Sequence, residues 1–328
     1  MKSNVMKSTG KEKVNLIKSQ NKFINVKSNY ILKNIFKHLQ KYKSLKIIRY
    51  NTNIKKRLNI TIDDYKPIIL EIIPYENQSG EFININGYNK KYFHIYFNDD
   101  KEEIKVTNLN KDDKVSKINV VIDYPVRSFK ELFTSCHIIE SINFKIFFRK
   151  NITNMRDMFS YCTNLKEINF TNFNTSNVED MSNMFYLCSS LKKLNLSQFD
   201  TRNVKNMNYM FSHCDKLEEL NISKFNTNKV TKMRNMFYRC SSLKKINVSN
   251  FNTRNVTDMS GMFCDCYSLE ELNVSKFNTC HVTNMNSMFS RCYSLKELNL
   301  TNFNFNKVTD MDYMTYDCNA LIKVKKKK

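Results

Sequence analysis

From residue 125 onward, apolar positions return at a fixed step. Cysteine stands at 136, 162, 188, 214, 240, 266, 292 and 318, and every step is 26 residues. A period of that size is the mark of a repeat architecture. Within a unit the pattern changes character twice. Leu191, Leu194 and Leu196 alternate with polar residues, which predicts a short half-buried strand. The same strand recurs as Leu217/Leu220/Ile222, Leu243/Ile246/Val248, Leu269/Leu272/Val274 and Leu295/Leu298/Leu300. A turn built on pairs such as Asn226-Thr227 follows. Then Val204, Met207, Met210, Phe211 and Cys214 fall at spacings that line one face of a short helix or helical turn. One unit cannot bury its own apolar face, so the pattern predicts stacking, with parallel strands ~4.8 Å apart. The expected fold class is an α/β repeat solenoid over residues 125–328. Its end units are degenerate: Phe129 and Leu132 stand where Met is usual, and Thr315 stands in place of Phe. Terminal repeats face solvent and are expected to be atypical.

The pattern before the array differs. Residues 29–66 read as a helical segment. Asn29 is placed to cap a first helix carrying Ile31, Leu32, Ile35, Phe36 and Leu39. Ser44 is placed to cap a second, with Leu45, Ile48, Ile54 and Leu58. Thr61-Ile-Asp-Asp suggests a further short turn, ended before Pro67. Residues 67–124 then switch to strands: Ile68–Tyr75, Glu81–Asn86, Tyr92–Phe97, Glu103–Thr107 and Lys117–Asp123. They predict a β-rich cap over the N-terminal edge of the array. Residues 1–28 are rich in Lys, Asn and Ser and are expected to be a disordered basic tail.

The repeated motif Val-x-x-Met-x-x-Met-Phe-x-x-Cys-x-x-Leu-x-x-Leu-x-Leu-x-x-Phe resembles the BspA-type leucine-rich repeats of bacterial surface proteins, mycoplasma lipoproteins and protist proteins. The best-matching units run from Ile152 to Leu321. The resemblance implies a leucine-rich-repeat array with a parallel β-sheet, acting as a binding scaffold for a protein partner.

Charge changes the picture mainly at the ends. The formal net charge is +22, but residues 1–60 hold 16 Lys/Arg and one acid, Glu12, and Lys323 to Lys328 hold five Lys. Between them 32 Lys/Arg balance 30 Asp/Glu. A nearly neutral array argues against an electrostatic nucleic-acid platform. Basic ends leave room for a tether to nucleic acid or anionic membrane. With only 4 Gly and 3 Pro, the many turns must come from Asn, Thr and Ser. No signal peptide and no run of ~20 apolar residues is visible, which predicts an intracellular, cytoplasmic home with thiols reduced. A surface adhesin is the alternative that the bacterial relatives imply.

The candidate chemistry is sparse. The cysteine ladder is read as a buried structural column rather than a metal or redox site. The Met-x-x-Met-Phe stripe holds 14 of the 16 Met residues and is likewise read as core. Cys264 and Cys280 fall off the period as surface thiols. On the strands, Asn169, Asn195, Asn221, Asn247, Asn273 and Asn299 repeat at one outward position. Two residues earlier stand Glu167, Lys193, Glu219, Lys245, Glu271 and Glu297. This row is either a partner-binding face or an amide ladder bonding layer to layer. Each Asn also opens an Asn-x-Ser/Thr sequon. The five His residues show no ligand spacing, the Gly residues build no phosphate loop, and no nucleophile elbow occurs. No enzyme activity, metal or cofactor is expected. Tyr30 to Leu58 resembles an F-box, without the usual Leu-Pro entry. That resemblance implies docking on a ubiquitin-ligase adaptor, with the repeats holding the substrate.

Overall fold

The computed structural model describes residues 26–326, apart from residues 40, 59, 77, 124 and 125. Most of the expected basic tail therefore lies outside the described residues, as do Lys327 and Lys328. The chain divides into two compact units, 1–66 and 67–328.

The first unit holds three helices, α1 (Asn29–His38), α2 (Lys41–Tyr50) and α3 (Thr52–Leu58). Ser28, not Asn29, caps α1, its hydroxyl accepting from the Ile31 N–H at 3.3 Å. The expected second helix is two helices, and Ser44 lies buried inside α2 instead of capping it. The break falls at Asn51, whose Oδ1 accepts from the Ile54 N–H at 2.9 Å and so starts α3. Leu32, Phe36, Ile47, Ile48, Ile54 and Leu58 are buried. Arg57 ties the unit together, its guanidinium donating to Asn29 Oδ1 at 3.0 Å and to the carbonyls of Val26 and Lys27 at 2.5 and 2.9 Å. The turn expected near Thr61 is a 3-10 turn at Asp63–Tyr65, with Asp64 accepting from the Thr61 N–H.

The second unit opens with β1 (Ile68–Pro74), β2 (Gly80–Glu81), β3 (Phe93–Phe97), β4 (Asn108–Leu109) and β5 (Ile118–Ile122). The expected strand over Glu81–Asn86 shrinks to β2. The one over Glu103–Thr107 is a single bridge, Ile95 to Ile104, with β4 just beyond it. The repeat strands are β6 (Ile139–Ile146), β7 (Glu167–Asn169), β8 (Lys193–Asn195), β9 (Glu219–Asn221), β10 (Lys245–Ile246), β11 (Glu271–Leu272), β12 (Glu297–Leu300) and β13 (Lys323–Lys326).

One sheet joins the two kinds of segment, in the order β3-β5-β1-β6-β7. The first repeat strand, β6, pairs antiparallel with β1 and parallel with β7. The apolar side of β1, at Ile68, Leu70 and Ile72, is fully buried. β1 thus occupies the hydrogen-bonding edge that β6 would otherwise present to solvent. Asn84 adds a second tie, its Nδ2 donating to the carbonyls of Glu131 and Thr134 in the first repeat. Later repeats pair in parallel in a constant register, such as Lys193 with Glu219 and Lys245 with Glu271.

The apolar stripe of each repeat does not form the expected helix. Among the described residues the array contains turns and strands, and the α-helices are confined to the first unit. The reason lies in where the backbone N–H groups go. In the unit after β7, the N–H groups of Asn183, Phe185 and Leu187 donate to Asn208, Met210 and Ser212 of the next layer at 2.9 Å. Those of Met184, Tyr186 and Cys188 reach back three residues, to Met181, Asn183 and Phe185. Alternate donors therefore close turns and join layers, and none is left for a helical i to i−4 bond. The alternation requires left-handed backbone at two residues per layer, here Asn183 and Leu187 with φ of 55° and 58°. Only one such position in the array is glycine, Gly261 with φ 58°. The turn side is thus a second lateral ladder, opposite the sheet.

Between the two ladders the core is columnar. Val204, Met207, Met210, Phe211, Cys214 and Leu217 are all fully buried. Each such side chain is worth about 1.5–3 kcal/mol of burial. The Phe rings stack layer on layer from Phe133 to Phe289, with centroids 5.4 to 5.8 Å apart in nearly parallel planes. The column stops where Thr315 replaces Phe.

Candidate functional site on the sheet face

The strand alternation sends the polar row outward. Leu194, Ile246, Leu272 and Leu298 are buried, while Lys193, Glu219, Lys245, Glu271 and Glu297 on their strands are exposed. Between Lys193 and Glu297 the sheet face holds a concavity of about 970 Å³. Nine of the twelve residues of the predicted face line it: Lys193, Asn195, Glu219, Asn221, Lys245, Asn247, Glu271, Asn273 and Glu297. Glu167, Asn169 and Asn299 lie outside it. Sequence reasoning missed Glu218, Glu270 and Lys296, which line one side. It also missed that Leu194, Leu220, Ile246 and Leu272 form an apolar floor. A readable signal was present, because the residue before each face charge is itself charged in every regular unit.

Charge on this face is paired along the stack. Lys193 Nζ meets Glu219 Oε1 at 2.5 Å, and Lys323 meets Glu297 at 3.6 Å. The carboxylate of Glu219 raises the Lys193 ammonium above its ordinary value. These groups are solvent-exposed, so the pairing orders the face more than it stabilises the fold. Near β6, Lys166 bonds Glu140 at 2.8 Å and lies 4.7 Å from the centroid of the Tyr75 ring.

The asparagines do not form the layer-to-layer ladder. Asn221 Oδ1 accepts from the Ser223 N–H of its own unit at 3.2 Å, and Asn195 and Asn247 do the same with Ser197 and Ser249. Asn169, Asn273 and Asn299 also accept from the hydroxyl at that position, at 2.6 to 2.7 Å. Each Asn therefore builds the turn that ends its strand. The Asn-x-Ser/Thr sequence is here a turn motif. Two further turns per unit use the same device, as at Asn174 with Ser176 and Asp180 with Ser182.

Buried threonines form one of the side-chain ladders between layers. Thr201 Oγ1 donates to the Asn226 carbonyl at 2.9 Å and accepts from the Asn226 N–H at 2.7 Å. Thr175, Thr227, Thr253 and Thr279 repeat both bonds and, like Thr201, are buried.

The cysteine column is structural in a specific way. Cys162, Cys188, Cys214, Cys240, Cys266, Cys292 and Cys318 each donate the thiol to the carbonyl of the Phe 29 residues earlier, at 3.0 to 3.2 Å. Cys136 heads the column without such a donation and is fully buried. Burial pushes all of these thiols up, so they stay protonated donors. Cys318, in the last layer, is only half-buried. Off the column, burial pushes Cys264 up to about 11. Cys280 Sγ lies 3.0 Å from His281 Nδ1 on the surface.

The repeats have a counterpart in a known family. A profile of the family described as "Mycoplasma protein of unknown function, DUF285" matches residues 127–222 and again 211–327. The chain belongs to the DUF285 family. The DUF285 match covers the same units that resemble BspA-type repeats. It does not reach Tyr30 to Leu58, so the F-box-like resemblance gains nothing from it. Among solved structures, the crystal structure of the T. pallidum leucine-rich repeat protein TpLRR is similar to this DUF285 chain over 52% of this chain and 72% of that one. The identity is 19% and the TM-score 0.36. No curated protein compared with the chain matches it. Among the described residues no helix is long and apolar enough to cross a membrane.

Proposed function

We propose that this protein is a leucine-rich-repeat solenoid that binds another polypeptide on its sheet face and performs no chemistry itself. One observation carries the reading. The outward row of the repeats converges on a concavity with an apolar floor between Leu194 and Leu272 and charged and amide groups along it. Desolvated apolar surface ringed by polar groups is the anatomy of a protein interface. The family membership supports a repeat scaffold and names no partner.

A site-specific photocrosslinker tests the reading in the native cell. Placed at Lys245, on the face, it should yield adducts with a polypeptide. Placed at Lys229, exposed on the turn after Phe225, it should not. Adducts from both positions alike, or from neither, would remove the sheet face as the interface.

A further inference from the structure

The two ends of the array differ in what they leave open. On the turn side each layer donates backbone N–H groups to carbonyls of the next. Ser287, Phe289 and Arg291 donate in this way to Asp312, Met314 and Tyr316 at 2.7 to 2.8 Å. The first layer is therefore left with spare carbonyls and the last layer with spare N–H groups. Asn84 answers the first layer, its backbone N–H donating to the Leu132 carbonyl at 2.7 Å and its Nδ2 to the Thr134 carbonyl at 2.6 Å. In the last layer Tyr313, Thr315 and Asp317 stand in the donor places, and among the described residues their N–H groups meet no acceptor. The sheet shows the same contrast. β1 covers the outer edge of β6, whereas β13 pairs with β12 on one side and with no described strand on the other. Apolar surface is also left at this end. Met311 is 46% and Val324 40% exposed, while Met285 and Leu298, in the same places one layer in, are buried. A hollow of about 500 Å³ opens among Leu300, Phe305, Met314, Thr315 and Val324.

Unmet donors, an unpaired strand edge and an apolar hollow together fit one more layer of polypeptide. Charge decides whose. Residues 301–328 hold six Lys and three Asp. Glu297 of the preceding layer takes up Lys323 at 3.6 Å, and Lys325 and Lys326 continue β13. A second copy seated end to end would bring the same positive excess to the junction, and lysines on a free edge keep like edges apart. The chain's own residues 1–60 hold 16 Lys/Arg and one acid, so they carry the same sign. An acidic polypeptide meets no such penalty. Its acids belong beside β13. On the turn side Asp312 and Asp317 are exposed, so the acceptors that suit the N–H groups there are neutral carbonyls. We propose that the C-terminal end of the solenoid is a second docking site, separate from the sheet face, and that it takes a segment of a different polypeptide. The segment adds a strand beside β13 with acidic residues along it, places apolar side chains in the hollow, and turns its backbone carbonyls to Tyr313, Thr315 and Asp317.

A synthetic layer tests the proposal on the full chain. The probe is a peptide of residues 285–300 carrying Arg291→Gln, Lys296→Glu and Asn299→Glu, which places its acids where the strand beside β13 would run. The basic control carries Arg291→Gln, Glu297→Lys and Asn299→Lys, and a second control is the acidic peptide in scrambled order. The acidic peptide should bind at least about tenfold more tightly than either control. On binding it should slow hydrogen exchange at the amides of Tyr313, Thr315 and Asp317. Val324→Glu in the chain should weaken binding about tenfold, whereas Lys229→Glu should leave it unchanged. Circular dichroism checks that each variant is folded. If Val324→Glu disturbs the fold, Ile322→Glu, at a side chain 85% exposed, replaces it. Equal binding of the acidic peptide and its controls, binding indifferent to the substitution at this end, or unchanged exchange at the three amides would each overturn the proposal. Slowed exchange at those amides in the chain alone, growing with its concentration, would show that a second copy fills the end and would overturn the acidic partner.

Discussion

Cys214 donates its thiol proton to the backbone carbonyl of Phe185, one layer back, at 3.2 Å. The same carbonyl accepts from the Cys188 N–H within its own layer at 3.1 Å. From Cys162 to Cys292 each thiol therefore bonds one layer to the turn of the previous one, inside a buried column. Replacing Cys214 by Ala removes that donor and leaves a small void beside Phe211. The expected cost is about 1–3 kcal/mol. A urea titration should show a lower midpoint with unchanged slope.

The same column sets a pH dependence. Burial raises the folded-state pKa of the column thiols above their ordinary value of 9.0. A raised pKa means that the folded state holds the proton more tightly than the unfolded one. The stabilisation is fully present below pH 9.0 and is lost as pH rises from there toward the folded-state values. Thermal unfolding should therefore show a plateau below that pH and a decline above it. Substituting a column cysteine by Ala should make the alkaline decline shallower. In the native protein at neutral pH a thiol reagent should label Cys280 well before any buried column cysteine.

Thr201 meets Asn226 through both of its backbone groups, and this pair repeats along the array. Valine has the same shape as threonine and no hydroxyl, so Thr201→Val leaves the Asn226 N–H and carbonyl without that partner. The expected loss is about 2–4 kcal/mol, with Thr201→Ser retaining most of the stability. A Val variant as stable as the Ser variant would mean that the ladder is incidental to stability.

The columnar core was legible in the residues, and the path of the backbone was not. Phe185, Cys188 and Leu191 announce a buried stripe by type and period, and the alternation around Leu194 announces a strand facing outward at Lys193 and Asn195. Met181, Met184, Phe185 and Cys188 fit a helix equally well as a ladder of turns. The difference lies in whether the N–H of Phe185 bonds four residues back or to Met210 in the next layer, and local spacing carries no information about that partner. Thr201 escaped notice for the same reason, since its partner Asn226 is 25 residues away. The face residues were readable because alternation alone decides which side they take. The apolar floor at Leu220 and the second charge at Glu218 became a site only once the layers stood side by side.

Asn221 separates stability from binding. Its Oδ1 accepts from the Ser223 N–H, while its side chain lies exposed on the concave face. Asn221→Ala removes the turn acceptor and should cost about 1 kcal/mol of stability, as loss of a comparable local cap does. Asn221→Asp keeps the acceptor and exchanges the amide NH₂ for negative charge beside Glu219 and Glu218. The Asp variant should be nearly as stable as the wild type and yet impaired in association through the sheet face. Calorimetry and the crosslinking yield at Lys245, measured on the same two variants, check both halves. If Asp and Ala lose stability equally, the turn bond is not what holds Asn221 in place. If Asp associates as the wild type does, the Asn row takes no part in the interface, and recognition rests on the charged row that runs through Lys193, Glu219, Lys245 and Glu271.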